Sequence, residues 1–334
     1  MKANNISGLA LKTTEGLGIP YGKPKTGKVR DTYEIDENHI LIVTTDRISV
    51  FDRVLPTPIP GKGIVLNQIS NILMDQFKYI VPNHLVAVDF ADFPSALEPW
   101  RNILEYRSVI AKKLSMIDFE DIVRGNIGGS VWDMYLAGLP VGGYELPKGL
   151  KLWQKLETPL HTPSTKAKDG ESDQNIPREE MQRVLGNDNL FKTIDESSVK
   201  LFIALRDYAA MRGVTVLDTK MEFGLDGNQR LVLGDEFGTP DSSRYCLTEN
   251  YNIAFAAGKN PDSMDKQPTR DYIKGREKQS EFNLKDKNPK LPELPDDLVL
   301  ETIERYMKAY SSMGCYNGGD VLVDIFRRAK QLVK

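Results

Sequence analysis

Over roughly the first third of the chain, apolar positions fall in short runs divided by turn formers: "GKVRDTYEI", then "HILIVTTD" after "DEN", then "HLVAVDF" and "YRSVIAKKL". Runs this short, rich in Val, Ile, Tyr and Thr, predict strands and a β-rich N-terminal region. Between them, "GIVLNQISNILMDQF" sets Ile64, Leu66, Ile69, Ile72, Leu73 and Phe77 close to the ~3.6-residue helical period, which predicts a helix packed on that sheet. The polar stretch from Leu156 to Pro177 has almost no periodicity and carries three prolines, so it reads as a long loop of the functional or disordered kind. "DESSVKLFIALRDYAAMRG" is amphipathic, with Asp195 placed to cap its start and Gly213 to end it. Further on, a charged, proline-bearing surface stretch leads to a helix from about Asp296 to Met313 and another from Asp320 onward.

"VTVLDTKMEFGLDGNQRLVLGDEF" contains two β-type runs joined through Asp226-Gly227, a strong hairpin signal. Asp218, Lys220 and Glu222 alternate with Leu217, Thr219, Met221 and Phe223, so the charged groups share one face and the other is core. A turn centred on Asp226-Gly227 sets Asp235 opposite Asp218, and one centred on Gly227-Asn228 sets it opposite Lys220, both on the charged face. A three-residue loop would send Asp235 to the other face.

The chain has 334 residues, with 40% apolar and 27% charged, an ordinary globular balance that suggests two domains. A net charge of −3 gives no electrostatic reason to expect nucleic acid or an anionic membrane as partner. Cys246 and Cys315 are too few for a disulfide framework or a four-cysteine zinc site. The start, "MKANNISGLALKTTEGLG", lacks the apolar core of a signal peptide, and no run approaches the ~18 apolar residues of a membrane span, so the expected compartment is the cytoplasm. His39, His84 and His161 show no metal or hydrolase spacing and read as surface or structural.

Carboxylates crowded on a half-buried sheet face repel one another and lose hydration, so they need compensating cations. Lys220 can serve one. Mg²⁺, which takes one or two carboxylates plus substrate phosphates, suits the rest, the alternative being a solvated face. In "VRGNIGGSVWDMYLAG", Ser130 and Asp133 have the spacing of an N-terminal helix cap, with Gly138 as the natural stop. Glycines before a helix N-terminus, with Arg124 alongside, are suited to a phosphate. "GKPKTGKV" nearly matches a phosphate-binding P-loop, but Val29 replaces the metal-binding hydroxyl and a strand follows where a helix should. It reads better as a β-turn-β cover, with Gly27 letting backbone approach phosphates and Lys28 and Arg30 neutralising them.

Seven blocks, "GKVRDTYEI", "TTDRISVFDR", "IPGKGIVLNQIS", "VRGNIGGSVW", "TPSTKA", "LDTKMEFG" and "GDEFGTPDSSRY", run in order from Gly27 to Tyr245, about two-thirds of the chain. In them the sequence resembles the SAICAR synthetase family. The resemblance implies an α+β, SAICAR synthase-like fold, with a kinase-small-lobe-like N-terminal domain (1–115) that covers ATP. An ATP-grasp-like second domain (116–334) would carry the metal and CAIR sites. It implies an ATP-dependent ligase of purine biosynthesis that joins L-aspartate to the carboxylate of CAIR, a ribose-phosphate-bearing aminoimidazole, through an acyl phosphate. Glu222 and Asp235 become Mg²⁺ ligands, with Lys220 beside the reacting groups. Gly27, Lys28 and Arg30 cover the ATP phosphates, and Leu114 and Met116 line the adenine pocket. Arg124, Ser130 and Arg244 hold the CAIR phosphate, with Asp241 and Ser243 shaping the same pocket. The 162–176 loop becomes a flap that brings Lys166 and Asp173 to the site. ATP, CAIR and L-aspartate are the expected partners, with the chain a monomer or homodimer.

Three departures from the family pattern stand out: Ser172 where the family often has His, Asn126 in place of an aromatic, and Gly128 in place of a small hydroxyl. A kinase-like phosphotransferase remains the rival enzyme class, although its "HRD" and "DFG" signatures are absent. A nucleotide-binding regulatory module is the rival without catalysis.

Overall fold

Two antiparallel sheets share one buried helix. The computed structural model describes residues 6–166, 173–286 and 289–333; Ser172 lies outside them. Lys25–Thr26, Arg30–Glu34, His39–Thr44, Ser108–Lys112 and Leu85–Ala87 pair in that order into a five-stranded sheet. These are the runs expected from alternation, trimmed at their ends. One face buries Tyr33, Leu41 and Val43 under Phe90, Leu97 and Leu104. The other carries a small apolar patch of Ile42, Val109 and Ala111.

The central strand of the second, seven-stranded sheet is Val214–Leu225. Phe119–Asn126 and Ser243–Leu247 flank its first half, and Leu231–Gly234 and Ser115–Met116 its second. The helix Lys62–Phe77 is buried on nearly every side. It packs beyond the N-terminal sheet, its Ile64, Leu73 and Phe77 sharing one core with Val216, Phe223, Phe237 and Tyr310. The C-terminal helices Asp296–Ser312 and Gly319–Val333 are where the sequence sets them. They pack back on the start of the chain, with Ile303 and Ala329 against Ile6, Ile48 and Ile59.

Three local expectations fail for identifiable reasons. The 156–177 stretch is not all loop, because Lys155–His161 and Ser164–Thr165 both pair with Phe119–Asn126. Pro159 interrupts the first of these, and its register shifts between Lys155 and Leu160. A bulged edge strand tolerates proline and shows no alternation. The long helix starts earlier than read, at Asp188, and is capped by Asn187, whose side chain accepts from Leu190 N at 3.0 Å. The hairpin register is Glu222 opposite Gly234 and Leu225 opposite Leu231, corresponding to an odd-length loop that neither expected register allowed.

Asp195, freed from capping, serves tertiary structure. It takes His161 Nδ1 at 2.8 Å and Arg178 at 2.6 Å, while His161 Nε2 meets Asp121 at 2.9 Å. The imidazole thus staples the helix Asp188–Ala210 to the sheet. Burial alone would lower its pKa, but hydrogen bonds and charge from Asp121 and Asp195 outweigh burial and raise it to about 9. The folded value lies above the unfolded one of about 6.5, so this stabilisation is complete below pH ~6.5 and lost as pH rises through 9. We expect melting scans from pH 6 to 10 to show a loss on the order of 3 kcal/mol that His161→Gln flattens; an unchanged slope in the variant would exclude the staple.

Candidate active site

Three charged clusters gather at the second sheet, the first two set by strand alternation along Val214–Leu225. Asp218 stands between two cross-strand neighbours, Arg124 on one side and Arg244 on the other. Their guanidinium groups lie 3.5 and 3.3 Å from Asp218 Oδ2. Arg124 also donates to Thr162 Oγ1 at 3.0 Å. Burial pushes the Arg124 pKa down to about 10, partly offset by Asp218 and reinforced by Arg244. One carboxylate between two guanidiniums leaves positive charge in excess, as a phosphate site requires. Ser130 opens the short helix Ser130–Leu136; Gly129 is its N-cap and no side chain caps it. Ser243 is buried and bonds Thr219 at 2.7 Å.

Two residues further along the same face, Lys220 contacts Glu120 at hydrogen-bond range and Glu222 at 3.5 Å. Lys166 reaches Glu222 at 2.5 Å. Burial opposes charging of all these groups, but Lys220 and Lys166 hold Glu222 below the usual carboxylate range, and Glu120 and Glu222 hold Lys220 well above the usual ammonium range. Burial raises the Glu120 pKa, and Asp173 adds to the effect against Lys220, so both described ends of the flap act on this cluster. Glu120 was missed from the sequence. Counting back from Arg124 by steps of two along Phe119–Asn126 would have found it.

Asp235 reaches the site in spite of the odd register. The strand ends at Gly234, and Asp235 adopts φ 51°, a left-handed conformation that turns its side chain away from the apolar face. There it meets Arg30 at 2.9 Å, and Glu236 meets the same guanidinium at 2.8 Å. Arg30 therefore compensates two carboxylates within the protein, whereas the sequence suggested that it faces phosphates alone. His84 is buried beside Asp235, and burial drives its pKa down to about 4, so it is neutral. Gly27 closes the preceding turn by donating to Arg30 O at 2.7 Å, and the exposed Lys28 pairs with Asp52 at 2.7 Å. Arg47 donates to the carbonyls of Gly27 and Lys28 at 2.9 and 3.2 Å, which leaves the following N–H groups directed the opposite way.

Arg30 and Asp235 line a small crevice together with Ile42, Leu66, Leu85 and Val109. Leu114 and Met116 pack at the two glycines of the hairpin, Gly224 and Gly234, where any Cβ would meet them at 2.8 and 3.2 Å. Asp241, expected to shape the phosphate pocket, is enclosed and engaged within the protein: it pairs with Lys62 at 2.8 Å and accepts from Tyr306 at 2.5 Å.

Comparison with known proteins gives one consistent result. A family model described as SAICAR synthetase matches residues 23–287. The chain is 45% identical over 286 residues to the phosphoribosylaminoimidazole-succinocarboxamide synthase of Maridesulfovibrio salexigens, covering 85% of this chain and 91% of the relative. To that of Thermodesulfovibrio yellowstonii it is 44% identical over 287 residues, covering 86% and 93%. Among solved structures, the SAICAR synthase of Saccharomyces cerevisiae complexed with SAICAR is similar with a TM-score of 0.77 at 36% identity, covering 91% of this chain and 97% of that one.

The structure also accounts for Gly128. A Cβ there would sit 2.2 Å from the Trp153 ring, which lies 5.3 Å beneath the Arg244 guanidinium. Gly128→Ser, although it restores the hydroxyl common in the family, is expected to displace Trp153 and cost about 1–3 kcal/mol in thermal unfolding; unaltered stability would mean the ring moves freely.

Proposed function

The chain belongs to the SAICAR synthetase family, and from that premise we propose how its crevice divides the work of the reaction. The activity is ATP-dependent ligation of L-aspartate to CAIR in purine biosynthesis, on an α+β SAICAR synthase fold. A carboxylate is a poor electrophile. In our reading a CAIR carboxylate oxygen attacks the γ-phosphorus of ATP and ADP leaves; the aspartate amine then attacks the acyl carbon, and phosphate departs as the amide forms and the amine loses a proton. Such transfers need positioning and charge neutralisation more than a protein nucleophile.

The assignment rests chiefly on the alternation of charge along Val214–Leu225. Asp218 with its two arginines anchors the CAIR phosphate together with Ser130, and Ser243 supports that end. Two residues on, Lys220 lies beside the reacting carboxylate and stabilises charge passing to the phosphoryl oxygens. The Gly27 backbone, Lys28 and Arg30 receive the ATP phosphates, and Leu114 and Met116 receive the adenine. Lys166 and Asp173 bring the flap against the aspartate.

Glu222 and Asp235 would hold Mg²⁺. The donor set fits: both are hard oxygen donors, the charge of Asp235 acts on the same Lys166 and Lys220 that Glu222 contacts, Lys166 at Glu222 is 41% exposed and can withdraw, and among the described residues no group of three or more His, Cys, Asp or Glu could enclose a metal. An ion that completes its shell from phosphates needs no more than this. When bound, it neutralises phosphate charge. The buried free thiols of Cys246 and Cys315 suit a reducing cytoplasm, and no helix of the described residues is long and apolar enough to cross a membrane.

Glu222→Gln and Asp235→Asn are each expected to lower kcat about a hundredfold or more with the circular dichroism spectrum retained; near-normal turnover in both would remove them from the site. In an ADP-release assay with each substrate omitted in turn, turnover should require both CAIR and L-aspartate. Release without aspartate would point to a phosphotransferase.

A further inference from the structure

A second group of cations, outside the three clusters above, surrounds Asp241. Lys62, the first residue of the helix Lys62–Phe77, has a fully enclosed ammonium that meets Asp241 Oδ2 at 2.8 Å and has no further hydrogen-bond partner among the described residues. Lys266, 9% exposed, approaches the same oxygen only to 3.7 Å. Arg270 is one turn further along the helix Gln267–Lys278, and its guanidinium has no hydrogen-bond or ion-pair partner among the described residues. Its charge is nonetheless felt by Lys266 and by Tyr306, the tyrosine that occupies the other Asp241 oxygen at 2.5 Å.

Ammonium and guanidinium groups only donate, and the carboxylates within reach of their charge are already engaged: Asp241 on both oxygens, Glu236 with Arg30, and Asp265 with Ser263 and the Gln267 N–H. Burying donors without acceptors is costly, and the shortfall is of anionic oxygen. Burial brings Lys266 down to about 8; Asp241 and, less strongly, Glu236 oppose this, while Arg270 and Lys62 add to it. Position narrows the choice of anion. Asp241 lies in the turn that leads into the strand carrying Ser243 and Arg244, and its charge also acts on Arg30, so the cluster lies between the proposed CAIR anchor and the proposed ATP end. Each of those substrates has its own cations. The amino-acid substrate, with two carboxylates, has so far only Lys166 of the flap.

We propose that Lys62, Lys266 and Arg270 form the carboxylate-binding station for L-aspartate, with Asp241 and Tyr306 fixing the lysines in place. The assignment rests on the ligase reading above. Lys266 and Arg270 contact the substrate; Lys62, held closest to Asp241, sets the geometry.

The test is steady-state kinetics on the full chain, with ADP release followed while each substrate is varied. Arg270→Met and Lys266→Met should each raise KM for L-aspartate about tenfold or more, the scale of one lost charge-assisted contact, with KM for ATP and CAIR within about twofold of wild type. Arg270→Lys should recover part of the loss. Arg270 is partly exposed, so its variants remain informative if Lys266→Met fails to fold. An unchanged KM for aspartate, or a rise confined to CAIR or ATP, overturns the assignment. If the wild type needs aspartate and the variants ignore it, this inference alone fails; if the wild type turns over without aspartate, the ligase reading fails with it.

Discussion

Everything in the crevice depends on the contact of Arg30 with Asp235 and Glu236. It joins the N-terminal sheet to a turn about two hundred positions later, at 2.9 and 2.8 Å, with the guanidinium largely out of water. Burial opposes its charge, yet the two carboxylates hold Arg30 well above the ordinary guanidinium range. Two adjacent carboxylates at a strand end would otherwise repel each other in a poorly hydrated place. Removing the cation from such an arrangement typically costs about 3–5 kcal/mol because charge is left uncompensated.

A common electrostatic logic runs through the site. Asp218 lies between arginines, Glu222 between lysines, and Asp241 against two lysines. Around Asp218 and Asp241 the paired carboxylate balances only part of the adjacent positive charge, whereas Glu120 joins Glu222 in balancing Lys166 and Lys220. A crevice so arranged is stable without substrates yet has unmet donors facing incoming phosphates and carboxylates. Three polyanions can then be brought together without mutual repulsion, which a reaction between a carboxylate, a triphosphate and a dicarboxylate requires.

The backbone supplies what the side chains cannot. Glycines at 224 and 234 leave room for Leu114 and Met116 to lie against the hairpin. The left-handed Asp235 converts an odd register, which should have hidden its side chain, into a site position. Strain of this kind persists where surrounding contacts over-determine the conformation, and here Arg30 does so.

The sequence by itself determined the strand runs, the helices Lys62–Phe77, Asp296–Ser312 and Gly319–Val333, and the charged face of Asp218, Lys220 and Glu222, because periodicity of two or about 3.6 is a local property written in consecutive side chains. Its ordered motifs also carried the family. It could not locate the cap at Asn187, the bulged strand through Pro159, or the hairpin register, since caps, edges and loops compete on energies smaller than tertiary contacts. Only the tertiary structure decided that Arg30 faces carboxylates, that Glu120 completes the lysine cluster, that His161 is a staple, and that Lys62, Lys266 and Arg270 meet at Asp241. Such pairings join residues tens to hundreds of positions apart, and charge interacts through space, where sequence distance has no meaning.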